Sequence, residues 1–441
     1  MAAIRSIVRF SQQNFLVLVI FLAFFARFTA TFIVGSTELE HEYAPLVLNM
    51  TAGRGFVFYS VDQSNKLTTE FLANPKLLIP SAFKSPVYPF FLLIFVKLFG
   101  TGMLGIRLIE VTQAILGCLG CWLIYKIALE KFGQPQAMLA AAGMAFYPLL
   151  VYSSTQISDT IIFLTLESLT FWFFIQLEKE FSLKVFLFFS FFFGLFTLAR
   201  PEGFLYFPFA LIWLFLRYPK KRISLLILFA VFCALMIVPW GLRNYFQLGK
   251  FVTNTSGGLN LWEGQNRNAV GVPSWYVVPP VGMPETMAKE IFGTGFDRHF
   301  EIKQDSIYFR NAVQDMLDYP VHALWLAFRK GLYFWSSLFF GFSFSYAGAK
   351  SPIYWLPWLL MLPFFLYGMI LSVKEHKKYW VFYLVFLIST AICVLFFVLP
   401  RYTMLVYPWV IIFAAHGIWR LYLSGVSLAR KVSNGSSGIG E

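Results

Sequence analysis

Three carboxylates crowd a short stretch that follows the first long apolar segment of the chain. Glu38, Glu40 and Glu42 lie within five residues, and His41 separates the last two. A carboxylate can take the proton from an attacking hydroxyl when it lies within hydrogen-bond reach of that group. The stretch therefore predicts a catalytic base, although three glutamates taken alone are more often typical of a solvated loop.

Other charged residues stand where apolar segments begin or end. Ionisable groups at the edge of a bilayer are costly, so they are usually paired or functional. Guanidinium and ammonium groups can stabilise the negative charge that develops on a leaving phosphate. With the three glutamates, they fit glycosyl transfer from a lipid-linked phosphosugar. The charged residues at the ends of apolar segments are Lys84, Asp159, Arg200, Glu202, Arg243 and Arg401.

Simpler roles stay open for several of these residues. Arg200 and Arg243 could anchor the ends of membrane helices by extending their charged groups into water. Asp159 precedes Thr160 and an apolar run, which is typical of a helix N-cap. His41 is the best-placed metal ligand, but one histidine near glutamates is a weak metal signal. We therefore predict no cofactor, and no divalent metal is indicated.

The composition is that of a membrane protein, so these charged groups must be positioned by membrane helices. Of 441 residues, 58% are hydrophobic and only 13% are charged, and the apolar runs are unbroken. The fold class is therefore an all-α polytopic membrane protein with about ten transmembrane helices. The predicted spans are Phe15–Val34, Met103–Ala128, Ala137–Tyr152, Thr160–Leu177, Leu183–Leu198, Phe204–Leu216, Ile223–Trp240, Ile353–Val373, Tyr379–Leu399 and Met404–Leu423.

Basic residues lie in every second connection between these spans. The net charge of +13 is therefore assigned to cytoplasmic loops rather than to nucleic-acid binding. This pattern places both termini in the cytoplasm and makes the long connections 35–84 and 244–352 extracytoplasmic. We predict one domain over residues 1–432 and a disordered tail over 433–441.

Three further helices are predicted in the outer connections. Pro86–Phe99 is too short to span a membrane, and a span at His322–Phe344 would invert the topology after it. We interpret both as helices that lie in the membrane interface. Phe300–Leu317 has helical spacing of apolar residues and is expected to be a surface helix.

Several segments resemble, in order and spacing, the polyprenyl-phosphate-sugar-dependent glycosyltransferases of the GT-C fold. That group contains the protein mannosyltransferases and the aminoarabinose transferases of lipid A, and the resemblance is to enzymes like those of glycosyltransferase family 39. The resemblance covers most of the chain. The segments that carry it are Gly53-Arg54-Gly55-Phe56, Lys84-Ser85-Pro86-Val87-Tyr88-Pro89, Thr197-Leu198-Ala199-Arg200-Pro201-Glu202-Gly203, Pro239-Trp240-Gly241-Leu242-Arg243-Asn244-Tyr245 and Pro400-Arg401-Tyr402.

The resemblance implies a first outer loop with a catalytic acid ahead of Tyr43. That acid is usually an aspartate four residues before the tyrosine, but this chain has Leu39 there. We take Glu40 as the base, with Glu42 and Glu38 as alternatives and Asp159 as a second acidic residue. Binding of the lipid-phosphate donor is assigned to Lys84, Arg200, Arg243, Arg401, Tyr402 and Tyr43.

The expected partners are a polyprenyl-phosphate-linked sugar, an extracytoplasmic acceptor that is a lipid, glycan or protein, and membrane lipid. We expect a bacterial plasma membrane, with the endoplasmic reticulum as the alternative. A lipid-linked-oligosaccharide flippase or a polysaccharide polymerase or ligase remains the alternative function. A flippase would keep charges near the membrane midplane in paired halves, whereas these charges collect at one face.

Overall fold

The computed structural model describes residues 2–39, 42–273, 282–336 and 352–436, and helices dominate these ranges. Apolar runs fold as helices in a membrane because the helix satisfies its own backbone hydrogen bonds without water. The chain is a multi-pass membrane protein, since six described segments are long and apolar enough to cross a bilayer. They are Asn14–Val34, Met103–Lys131, Thr160–Lys179, Arg222–Leu248, Trp355–Leu395 and Arg401–Ser427.

The order of elements places three short strands between the second and third helices. Trp355–Leu395 contains two helices, and shorter apolar helices supplement the six segments. The α-helices are α1 (Ala2–Val34), α2 (Ala44–Thr51), α3 (Val87–Phe99), α4 (Met103–Lys131), α5 (Gln134–Phe146), α6 (Pro148–Ser153), α7 (Thr160–Lys179), α8 (Leu183–Ala199), α9 (Phe207–Arg217), α10 (Arg222–Leu248), α11 (Gly257–Gln265), α12 (Glu285–Gly293), α13 (Phe300–Asp318), α14 (Pro320–Trp335), α15 (Pro352–Ser372), α16 (His376–Leu395), α17 (Pro400–Thr403) and α18 (Tyr407–Ser436).

One predicted span, Ala137–Tyr152, is interrupted. Helix α5 ends before Tyr147, which is extended, because the residue ahead of Pro148 is disfavoured in the helical conformation. The carbonyls freed by this break need other donors. The fully buried Arg27 of α1 donates to two of them, Met144 O at 3.0 Å and Ala145 O at 2.8 Å. A buried arginine thus supports a broken helix next to the first span.

A small sheet in the first loop has no counterpart in the sequence-based expectations. Strand β1 (Val57–Val61) pairs antiparallel with both β2 (Leu67–Thr68) and β3 (Leu77–Pro80). Val61 of β1 and Ile79 of β3 pack with apolar side chains of helices α11 to α13 and form a second core with them. We call residues 57–80, 257–273 and 282–318 the loop subdomain. Its core contains Val61, Ile79, Leu261, Trp262, Met287, Ile291, Phe300, Ile307, Tyr308 and Ala312.

The predicted loop helices are present with shifted bounds. The predicted surface helix is α13, and the two predicted interfacial helices are α3 and α14, although residues 337–344 of the second lie outside the described residues. Helix α14 exposes large apolar side chains at Val321, Leu324, Trp325 and Phe328. Such a stripe favours the interfacial placement, which stays a prediction. Helix α18 continues through Ser436, so the predicted tail begins as helix.

Candidate active site at the helix ends

Glu42 lies in the turn that precedes α2 and is held by two cations. Arg401 donates from Nη1 to Oε2 at 2.8 Å and from Nη2 to Oε1 at 3.2 Å. Lys84 Nζ also donates to Oε1. Two hydrogen bonds from one guanidinium group fix both the direction and the position of a carboxylate. Both oxygens of Glu42 are therefore occupied.

The charges around Glu42 decide its protonation. Burial alone would raise the pKa of this carboxyl, but the charges of Lys84 and Arg401 and their hydrogen bonds outweigh burial. The pKa of Glu42 is consequently held well below its usual range. Glu42 is thus an ionised carboxylate with its oxygens engaged by cations.

A second group of charges is centred on Arg200, which is only 7% exposed. Its Nε lies 3.2 Å from Asp159 Oδ2 and 3.8 Å from Glu202 Oε1. Its Nη1 is buried and has no hydrogen-bond partner within the described chain. Asp159 is the N-cap residue of α7, the simpler role that the sequence left open, but its side chain makes no capping hydrogen bond. Its carboxylate pairs with Arg200 instead.

Aromatic rings join the two groups. The guanidinium carbons of Arg200 and Arg401 lie 5.3 Å and 5.7 Å from the centroid of the Tyr402 ring, within range of cation–π attraction. The buried Tyr43 packs edge-on against Tyr88 at 4.8 Å. Lys84 Nζ lies 5.6 Å from the centroid of the Tyr43 ring. The tertiary structure therefore brings most of the predicted site residues together.

Two predicted site residues in the described part of the chain, Glu38 and Arg243, are not among these contacts. Glu38 is exposed, whereas Glu40 and the neighbouring His41 lie outside the described residues. Arg243 donates to Ser81 O at 2.5 Å and to Phe56 O at 3.1 Å. Arg243 thus braces two loop segments, and its guanidinium is engaged by backbone carbonyls.

The loop that carries Lys84 is fastened to the loop subdomain. Glu301 of α13 accepts hydrogen bonds from Ala82 N at 2.9 Å and from the Thr255 hydroxyl at 2.7 Å. Thr255 N donates to Ala82 O at 3.0 Å, and Asn254 Nδ2 donates to Phe83 O at 2.9 Å. Glu301 is 1% exposed, although it belongs to the predicted surface helix. Its position in a helical pattern gives no signal of this role.

The buried Glu301 predicts a pH-dependent stability. Burial raises its pKa to about 7, against the opposite effects of its hydrogen bonds and of Arg243. An unfolded glutamate titrates near 4.5, so between pH 4.5 and 7 the folded state holds a proton that the unfolded state has released. The free energy of unfolding should therefore fall as pH rises through this window, by at most about 3 kcal/mol, and level off above it.

Glu301→Gln should remove this dependence because its amide oxygen still accepts hydrogen bonds but does not titrate. The check is the thermal unfolding midpoint of both proteins at pH 5 and pH 8. The midpoint of the unsubstituted protein should fall more between these values than that of the variant. Equal falls would contradict the prediction.

No group of three or more His, Cys, Asp or Glu side chains in the described chain is arranged to hold a metal ion.

Solved structures of an archaeal oligosaccharyltransferase share this arrangement of helices. The archaeal oligosaccharyltransferase AglB from Archaeoglobus fulgidus, in complex with an inhibitory peptide and a dolichol-phosphate, matches with a TM-score of 0.56 and 13% identity over 98% of this chain. The apo form of the Archaeoglobus fulgidus oligosaccharyltransferase gives a TM-score of 0.55 and 13% identity over 96% of this chain. The chain spans about half of these proteins, 52% of each.

ArnT from Cupriavidus metallidurans bound to undecaprenyl phosphate matches with a TM-score of 0.44 and 12% identity, over 96% of this chain and 80% of that one. No curated protein sequence matches the chain.

The fold is thus that of the GT-C membrane glycosyltransferases, as the sequence motifs implied. Residues 83–242 match the family model described as dolichyl-phosphate-mannose-protein mannosyltransferase. The matched segment contains Lys84, Asp159 and Arg200 of the site. The resemblance stated from the sequence is confirmed by these two independent comparisons.

Proposed function

We propose that this protein transfers a sugar from a polyprenyl-phosphate donor to an acceptor outside the cytoplasm. The observation that carries the proposal is the pair of cations, Lys84 and Arg401, converging on the carboxylate of Glu42. Such a site can bind a phosphate monoanion or dianion and can supply a base beside it. Neither a nucleotide nor a cofactor is needed for the step.

The donor phosphate would first bind the two cations, Lys84 and Arg401. Its oxygens compete with Glu42 for Lys84 and Arg401, because the phosphate and the carboxylate both offer acceptors to the same N–H donors. The buried Nη1 of Arg200, without a partner in the described chain, supplies one further donor beside Tyr402. Donor binding thereby frees an oxygen of Glu42, whose pKa then rises toward that of an ordinary carboxyl as its cations are neutralised.

The transfer step then follows by a single displacement. Glu42 accepts the proton of the acceptor hydroxyl as the hydroxyl oxygen bonds to the anomeric carbon. The bond between that carbon and the phosphate oxygen breaks, and its electron pair leaves with polyprenyl phosphate. Lys84, Arg401 and Arg200 stabilise the charge that develops on the leaving group. Attack from the opposite face inverts the anomeric centre.

The residue proposed as the base differs from our expectation from sequence. That expectation favoured Glu40, with Glu42 and Glu38 as alternatives. We now favour Glu42, because it is the member of the trio with described contacts to Lys84 and Arg401, whereas Glu38 is exposed. Asp159 is proposed to orient Arg200 rather than to accept the proton.

Similar proteins support the substrate class. The AglB structure contains a dolichol-phosphate and an inhibitory peptide, so that protein binds both a lipid phosphate and a peptide. We propose a lipid-linked phosphosugar and an extracytoplasmic acceptor for the present chain, with the loop subdomain selecting the acceptor. The alternation of basic connections favours cytoplasmic termini. A single domain over residues 1–432 and a bacterial plasma membrane belong to the same proposal.

The test is sugar transfer in membranes that contain this protein. Membranes are supplied with a polyprenyl phosphate bearing a radiolabelled sugar, and label is followed into lipid, glycan and protein fractions. One sugar per acceptor, together with release of polyprenyl phosphate, is the expected result. Translocation of the donor without any glycosyl product would instead identify a flippase, and joining of whole glycan chains would identify a polymerase or ligase.

A further inference from the structure

Lys330 is a fully buried amine that the proposed mechanism does not use. It lies on α14, and its Nζ donates to Gly264 O at 3.1 Å and to Phe396 O at 2.8 Å. These carbonyls lie at the carboxyl ends of α11 and α16, where the helix itself supplies no donor. A lysine is a favourable partner for such carbonyls because its amine can donate more than one N–H hydrogen bond. Lys330 therefore ties two helix ends together.

Other contacts lie between the same two segments. Gln265 Nε2 donates to Val394 O at 3.2 Å and to Leu395 O at 2.6 Å. Val398 N donates to Gly271 O at 3.1 Å. The backbones are so close that a Cβ added at Gly264 would stand 1.8 Å from Phe396 O. The last residues of α11 and the residues just after it therefore hold the segment from Phe396 to Leu399.

This segment leads directly to Arg401. Residues 396–399 are neither helix nor strand, so they lack the repeated backbone bonds that fix a regular element. The short helix α17, which carries Arg401, begins immediately after them. Its orientation consequently depends on the contacts that residues 394–398 make with Lys330, Gln265 and Gly271.

We propose that Lys330 is a positioning residue for sugar transfer: it fixes the 396–399 segment and thereby aims the Arg401 guanidinium at Glu42 and the donor phosphate. The inference rests on the proposed function for its catalytic consequence, but the structural link from Lys330 to Arg401 does not depend on it. Paired guanidinium bonds require a defined orientation, and displacements near 1 Å at a reacting group can cost roughly 100-fold in rate.

Lys330→Met tests this role, since methionine fills similar space but cannot donate. The apparent KM for the donor should rise about tenfold, while the KM for the acceptor should stay unchanged. Lys330→Arg should recover part of the loss because it retains N–H donors. When combined with Arg401→Lys, Lys330→Met should add much less than its effect alone, because both changes act on one contact.

Arg54→Met is the matched control. Arg54 is also a cation that donates to two backbone carbonyls, Leu72 O at 2.6 Å and Ala73 O at 2.7 Å, but this loop does not lead to Arg401. Its substitution should leave the donor KM within about twofold of the unsubstituted value. An equal rise in both variants would mean that Lys330 acts only through general stability, and would overturn the proposal.

Hydrogen–deuterium exchange separates this inference from the proposed function. Exchange of the amides of residues 396–403 should accelerate at least tenfold in Lys330→Met, with no change in α2 or α3. Gln265→Leu should accelerate the same amides and serves if Lys330→Met does not fold. Unchanged exchange at 396–403 would overturn the positioning role, whereas accelerated exchange in a protein without transferase activity would overturn only the proposed function.

Discussion

Glu42→Gln is expected to lower kcat for sugar transfer by about 100- to 10,000-fold while leaving donor binding intact or tighter. The loss follows because an amide oxygen cannot take the proton of the acceptor hydroxyl, and general-base catalysis is worth about this much. Donor binding should not weaken, because the variant removes the anion that occupies Lys84 and Arg401 in the free protein. The measurement combines initial transfer rates with binding of polyprenyl phosphate to the purified protein.

Two neighbouring carboxylates supply the controls for this variant. Glu38→Gln alters an exposed residue of the same loop and should change kcat less than threefold. Glu40→Gln tests the residue that the sequence favoured as the base. If Glu40→Gln loses transfer and Glu42→Gln retains it, the assignment of the base to Glu42 is wrong, although the site as a whole would stand.

Arg401→Met is expected to reduce kcat/KM for the donor by about 100- to 1,000-fold. Arg401 offers two N–H donors to the site, and the loss of a donor that stabilises developing charge has an effect of this order. Glu42 would keep Lys84 as its described cationic partner, so its pKa should rise toward the usual carboxyl range. The acidic limb of the pH–rate profile should therefore move to higher pH in the variant.

Arg310→Met is a suitable control for loss of an arginine. Arg310 is exposed on α13 and pairs with Glu290 Oε2 at 2.6 Å, and such surface pairs contribute little. It should leave both the rate and the pH profile unchanged. A donor kcat/KM within threefold of the unsubstituted protein in Arg401→Met would exclude Arg401 from phosphate binding.

The sequence predicted the class of fold because membrane helices follow from local composition. Long apolar runs with few charges have one stable solution in a bilayer, and motifs such as Pro400-Arg401-Tyr402 could be compared directly with those of a known fold. The break at Tyr147 was missed, although Pro148 is visible in the sequence. The short strands of the loop subdomain were missed because two to five residues give too little periodicity to detect.

The sequence by itself determined that this is a helical membrane protein with carboxylates and cations at the ends of apolar segments. Only the tertiary structure decided which of them meet, because pairing across 359 residues, as between Glu42 and Arg401, depends on the packing of helices and leaves no local pattern. The same holds for Glu301 and Lys330. Their burial follows from helices α13 and α14 packing on distant loops, whereas their own segments are those of ordinary amphipathic helices.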